Sequence, residues 1–301
     1  MPNGSTAPTA RTNSTKPPVL SRGQIVPTLA GLMLALFLAA LDQTVVGTAM
    51  PRIIADLGGL DRFTWVTGAY LLASTTAVPI VGSLSDLYGR KPFYVLGTVV
   101  FISGSALSGL SQTMDQLIAF RAIQGIGGGS LMALAFVTVG DLFPPAERGK
   151  YQGFVTAVFA LSSVIGPTLG GLITDTLSWH WVFYINIPLG VPILLIILKF
   201  FPSQRHGSHD RHLDWLGMIL LVMTVVPLLV ALSLVGVQYP WDSLQISGLF
   251  TFGLAAGIAL VMVELRTTTP IMPPVIYKNK VVVLSLVAIF FTGFGMFGSV
   301  V

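Results

Sequence analysis

The 301 residues are 53% hydrophobic and 9% charged, with a mean hydropathy of +0.82 and a formal net charge of +4. Soluble domains carry roughly 25% charged residues, so the composition excludes a soluble globular protein and points to a chain that lives in lipid. Cysteine is absent, which removes disulfides and thiolate metal sites from consideration.

Residues 1–24 are rich in Pro, Ser, Thr and Asn; such a segment cannot bury enough surface to order itself, and a disordered cytoplasmic tail is expected. A bilayer core of about 30 Å takes about 20 mostly apolar residues per helix. Stretches of that length are predicted near 25–49, 63–82, 93–111, 118–141, 151–175, 181–200, 213–234 and 246–263, and a ninth begins near Val281. The first lacks a small-residue cleavage pattern and reads as a permanent helix. The ninth runs to Val301 with no charge after Lys280, so the chain reads as a fragment that stops inside a membrane helix.

Charge placement predicts the orientation. With the N-terminus cytoplasmic, the inner side receives Arg11, Lys16, Arg22, Arg90, Lys91, Arg148, Lys150, Lys199, Arg205, Arg211, Arg266, Lys278 and Lys280. The outer side receives only Arg52 and Arg62, a strong positive-inside asymmetry. The net positive charge is therefore a matter of topology and gives no reason to expect nucleic acid as a partner. Trp65, Trp179, Trp181, Trp215 and Trp241 all fall at predicted span ends, where indoles favour the interface.

Ionisable groups inside a span are costly and mark functional candidates. Two qualify: Asp42 in the first span and Arg121 in the fourth. Counted from the outer ends of their spans, their depths differ by only about 5 Å at 1.5 Å per residue, so one cavity can hold both. Desolvation disfavours a charged carboxyl while a guanidinium nearby favours it. A cavity that alternates between two sides of a membrane would change that balance, which is the physics of a proton carrier. A static ion pair that fixes helix packing is the alternative. Gln43, Thr44, Gln124 and Ser130 follow along the same two helices as candidate cavity lining.

Two glycine-bearing segments complete the pattern. Between spans two and three, GSLSDLYGRKP places Gly82, Asp86, Gly89 and Arg90 in a tight polar turn, and Asp141 ends the fourth span on the same side. Asp86, Arg90 and Asp141 together would form a charge latch; a solvated surface turn is the alternative. The fifth span carries GPTLGG, in which Gly166 and Gly170 make a small face for close helix approach and Pro167 removes a backbone hydrogen bond. Gly171 closes that motif.

GSLSDLYGRKP resembles the loop signature of the major facilitator superfamily. LIAFRAIQGIGGG, Leu117 to Gly129, resembles its fourth-helix signature, and SVIGPTLGG, Ser163 to Gly171, resembles the fifth-helix signature of antiporters. LDQTVVGTAMP, Leu41 to Pro51, and WHWVFYINIPLG, Trp179 to Gly190, narrow the resemblance to the fourteen-helix drug:proton antiporters. The resemblance implies an all-α polytopic membrane protein with two six-helix bundles, each of two inverted three-helix repeats, and two additional helices between them. Residues 25–200 would form the N-terminal bundle, 201–212 a cytoplasmic loop, 213–264 the two additional helices and 265–280 a second cytoplasmic loop. Residues 281–301 would begin the C-terminal bundle, the rest of which would be a partner outside this chain.

The resemblance further implies proton coupling for Asp42 and Arg121, and a conformational latch for Gly82, Asp86, Gly89, Arg90 and Asp141. It implies an antiporter hinge for Gly166, Pro167, Gly170 and Gly171. The expected activity is proton-coupled export of small amphipathic or hydrophobic compounds from the cell membrane, with no cofactor, no metal and no enzymatic chemistry. Three positions depart from the pattern. Gly47 stands where asparagine is usual near Asp42, His180 where arginine is usual, and Leu87 where a second base is common.

Rival readings rest on thinner signals. An integral-membrane enzyme would need a metal or nucleophile cluster, and the densest candidate is His206, His209, Asp210 and His212, in a loop better read as exposed. GIGGG at Gly125 to Gly129 follows no strand and lies inside an apolar helix, so it is not a dinucleotide fingerprint. An uptake symporter of the same superfamily is the nearer alternative.

Overall fold

The computed structural model describes residues 22–202, 213–236, 238–267 and 270–298, and they are helical almost throughout. Ten helices follow in order: α1 Arg22–Leu57, α2 Thr64–Tyr88, α3 Arg90–Gly109, α4 Met114–Leu142, α5 Pro145–Thr176, α6 Trp181–Tyr184, α7 Asn186–Phe200, α8 Trp215–Leu234, α9 Leu244–Glu264 and α10 Lys280–Gly298. A lone bridge between Val235 and Tyr239 is the only extended pairing among the described residues. Hydrocarbon offers a backbone no hydrogen-bond partner, so long apolar segments must satisfy their amides internally as helices. Eight of the resulting spans, with α6 and α7 counted as one, are long and apolar enough to cross a bilayer. Hydroxyls within them fold back on their own helix: Thr76 donates to the Leu72 carbonyl at 2.7 Å and Thr98 to that of Tyr94 at 2.7 Å.

The helix ends follow local chemistry. Thr113 caps α4 by accepting the Gln116 amide at 3.3 Å, Asp214 caps α8 through the Gly217 amide at 2.8 Å, and Pro145 occupies the first turn of α5, where no amide is needed. One boundary differs from the sequence expectation, and one span of the expected length, 181–200, carries an interruption. The first helix already begins at Arg22 and continues to Leu57 through Pro51, which stands on an exposed face. In the sixth span the hydrogen-bond ladder is interrupted after Tyr184, while Ile185 keeps helical angles (φ −59°, ψ −25°) and its amide still donates to the Trp181 carbonyl at 3.0 Å. Pro188 lacks the amide that would bond the Tyr184 carbonyl, and the helix restarts at Asn186. The expected tail up to residue 21 and the His206, His209, Asp210 and His212 loop lie outside the described residues.

α4 is the central element, packed against α2 on one side and α3 on the other, and α5 packs along α1. The glycines of GIGGG make that possible. A Cβ on Gly125 or Gly129 would collide with the α2 backbone at Tyr70 or Ser74, and one on Gly127 with the α3 backbone at Phe101. From the α3 side, a Cβ on Gly104 would stand 2.6 Å from the Gln124 nitrogen. In lipid, such close backbone approach replaces the hydrophobic effect as the source of helix association. Apolar side chains consequently appear on both sides of the helices: one cluster joins Leu32, Tyr70, Phe101, Leu131 and Ile193, a second joins Val45, Val66, Leu117 and Val182, and many others face outward. α8 and α9 pack on each other, and α8 touches α2.

Because the atom met at Gly104 is backbone and cannot rotate away, Gly104→Val is expected to separate α3 from α4, at a cost of about 1–3 kcal/mol or more. Thermal unfolding in detergent should show a clear loss of stability. Gly82→Ala, where a Cβ meets nothing within 4 Å, should be neutral in the same assay.

Candidate functional site

Asp42 of α1 and Arg121 of α4 lie between the two apolar clusters, with side chains 0% and 1% exposed, and they meet directly at 2.5 Å between Oδ2 and Nη1. A lone buried charge would cost several kcal/mol, and the surroundings answer it group by group. Gln124, one turn beyond Arg121, accepts from Arg121 Nη1 with Oε1 at 2.8 Å and donates from Nε2 to Asp42 Oδ1 at 2.8 Å. Arg121 has no acceptor function, so the oxygen end of Gln124 must face it, and the amide orientation follows from chemistry. The guanidinium also sits over the Tyr70 ring, 4.3 Å from its centroid, and its Nε donates to the Val66 carbonyl at 3.4 Å.

The other donor to Asp42 was not singled out by sequence reasoning. Asn186, the first residue of α7 and 1% exposed, donates from Nδ2 to Asp42 Oδ1 at 2.8 Å and to Ser105 Oγ at 2.9 Å. Ser105 in turn donates to the Phe183 carbonyl at 2.8 Å. The signal was present in the WHWVFYINIPLG segment, where a single amide stands in an apolar run just before Pro188. Gly47 was read as a lost partner for Asp42. Position 47 is exposed and a Cβ there meets nothing within 4 Å; the side-chain amides that reach the carboxylate come from α4 and α7.

The remaining lining candidates separate. Gln43 is partly buried beside Asp42. Thr44 turns to the α1–α5 seam, its single hydroxyl hydrogen shared between the Leu41 carbonyl at 2.9 Å and the Ser162 carbonyl at 3.1 Å. Ser130 lies in the α3–α4 crossing and donates to the Ile126 carbonyl at 2.6 Å. Of the α5 motif, Gly166 and Gly170 face α1, where a Cβ would strike Thr44 and Thr48 respectively; Pro167 is exposed and Gly171 opens on free space.

At the other end of α2, Gly89 adopts φ 95°, a conformation glycine takes without strain, and reverses the chain into α3. The turn aims the largely buried Arg90 at three partners. Its Nε donates to Asp141 Oδ2 at 3.0 Å, one Nη pairs with Asp86, and the other donates to Ser85 Oγ at 2.5 Å. Gly82 lends its carbonyl to Arg90 at 3.5 Å. Asp86, Arg90 and Asp141 thus tie the α2–α3 turn to the end of α4. No group of three or more His, Asp or Glu side chains among the described residues could hold a metal.

Residues 32–301 match the model of the Major Facilitator Superfamily. The chain belongs to that superfamily. It is 48% identical over 263 residues to Multidrug resistance protein 3 of Bacillus subtilis (strain 168), a match covering 87% of this chain and 51% of that one. It is 46% identical over 272 residues to Multidrug transporter protein MdtP of the same organism, covering 90% and 50%. The chain therefore spans about half the length of these relatives. Among solved structures, the human organic anion transporter MFSD10 (TETRAN) superposes with a TM-score of 0.57 at 20% identity, covering 81% of this chain and 63% of that one, and shares the fold. This superfamily member is a multi-pass membrane protein.

Removing one partner of a buried ion pair leaves the other uncompensated, at a cost of about 3–5 kcal/mol. Arg121→Leu is expected to destabilise the protein by that order in detergent unfolding. Asp42→Asn combined with Arg121→Leu should recover part of the loss, a non-additivity that a double-mutant cycle reads directly.

Proposed function

We propose that the chain is the N-terminal part of a proton-coupled antiporter that exports small amphipathic or hydrophobic compounds by alternating access. The observation that carries this reading is the Asp42–Arg121 pair, the one fully buried ion pair among the described residues. A carboxylate so placed can take a proton only by giving up part of its hold on the guanidinium, so protonation and helix contact are linked. Superfamily membership and the two multidrug relatives from Bacillus subtilis supply the substrate class.

The rest of the machinery is assigned on the same footing. Residues 25–200 act as one bundle and 213–264 as an additional helix pair, with residues 201–212 and 265–280 as cytoplasmic loops and 281–301 opening a second bundle. The membrane is the cell membrane, and the N-terminus is cytoplasmic by the positive-inside asymmetry. Gly82, Asp86, Gly89, Arg90 and Asp141 hold the cytoplasmic side shut, supported by the ion pairs that converge on Arg90. Gly166 and Gly170 let α5 slide on α1, with Pro167 free on the outer face of α5 to bend it. Gly171 completes the motif at a position where a Cβ would meet nothing within 4 Å.

Everted vesicles from cells expressing the gene, with an acidified lumen, test the reading. Adding ethidium, or a neutral dye of similar size, should release protons from the lumen in the parent and not in Asp42→Asn. Proton movement in the opposite direction would establish symport. Release that persists unchanged in Asp42→Asn would remove Asp42 from coupling.

A further inference from the structure

We infer that Asn186 is a positioning residue that fixes which oxygen of Asp42 receives the proton, forcing proton uptake to compete with Arg121. The inference rests on the proton-coupling reading and deepens it. Hydrogen-bond accounting carries the argument. An ionised carboxylate offers two lone-pair sites on each oxygen. Both sites of Oδ1 are taken, one by Gln124 Nε2 and one by Asn186 Nδ2, each at 2.8 Å. Among the described residues Oδ2 accepts from Arg121 alone, so the second site on that oxygen is the one no side chain takes. A proton that arrives there neutralises the carboxylate at the atom the guanidinium grips.

The orientation of Asn186 is not free to change. Ser105 has one hydroxyl hydrogen and donates it to the Phe183 carbonyl, so toward Asn186 it can only accept. Asp42 as a carboxylate also only accepts. Both hydrogens of Nδ2 are consequently committed, and an amide flip would face two acceptors with an oxygen. The chain Asp42, Asn186, Ser105, Phe183 joins the carboxylate to residues on both sides of Ile185, where α6 passes into α7. Tyr184 anchors the same segment by donating to the Gly109 carbonyl at 2.7 Å. Displacement of this segment would therefore withdraw the Asn186 donor and open Oδ1, giving the proton a site away from the atom that Arg121 holds.

The titratable groups facing Asp42 are Arg121 from α4 and Tyr70 from α2, whose ring lies under the guanidinium. The ionisable side chains of α3, α5 and α7 stand near their helix ends, so among the described residues no other charge is paired with Asp42. Losing a donor to the charged form makes protonation easier, and a hydrogen bond to a charged group is worth about one to two pH units.

The test is carbodiimide labelling of the chain in liposomes, read by mass spectrometry on the Asp42 peptide, since carbodiimides attack protonated carboxyls. In Asn186→Leu the pH at which half of Asp42 is labelled should rise by about one unit relative to the parent. Ser105→Ala, which frees Asn186 without removing it, should give a smaller rise, and Asn186→Ala serves if the leucine variant does not insert. An unchanged midpoint in Asn186→Leu or Asn186→Ala overturns the inference. The antiport reading fails separately, if Asp42→Asn leaves substrate-driven proton release intact in the vesicle assay.

Discussion

A single ion pair sets the terms for the rest of this structure. Two charged side chains cannot remain in an apolar bundle at less than a tenth of their ordinary exposure unless each is matched and hydrogen-bonded. The bundle is built to that requirement. α1 brings the carboxylate, α4 the guanidinium and Gln124, α2 an aromatic face and a carbonyl, α3 a serine and α7 an amide. Five helices thus converge on one point midway between two apolar clusters, and a change in the charge of Asp42 would be felt by all of them.

Close packing makes that convergence possible. Arg121 and Gln124 reach Asp42 only because α4 approaches α2 and α3 almost backbone to backbone, and the glycines at 104, 125, 127 and 129 remove the side chains that would hold them apart. The same logic appears at the α1–α5 seam, where Gly166 and Gly170 meet threonine hydroxyls. A seam of small residues against short polar side chains has little interlocking relief. The α4 crossing is closer still, with backbone against backbone on both of its sides. In the proposed mechanism, α5 is the helix that moves.

Much of this was legible in the sequence because lipid narrows the choices. Spans of about 20 apolar residues follow from bilayer thickness, and Asp42 and Arg121 stand out because almost nothing else inside a span is ionisable. Arg90 and the two acids beside it were visible for a related reason: glycines interleaved with opposite charges form a turn whose partners lie near at hand. Asn186 was not visible. An uncharged amide in an apolar run carries no strong mark, and its partner Asp42 is 144 positions away in sequence. Thr44 and Ser130 illustrate the complementary limit, since position along a helix gives depth, while the face is decided by packing that only the fold supplies.

The central claim is that Asp42 changes protonation inside this cage, at the expense of its bond to Arg121. Infrared difference spectroscopy of the protein in lipid, taken between neutral and acidic pH, addresses it most directly. The account predicts a carbonyl stretch of a buried carboxylic acid that grows on acidification, with a matching change in the guanidinium bands, and both absent in Asp42→Asn. A spectrum in which no buried acid appears, or in which it persists in Asp42→Asn, would contradict the account.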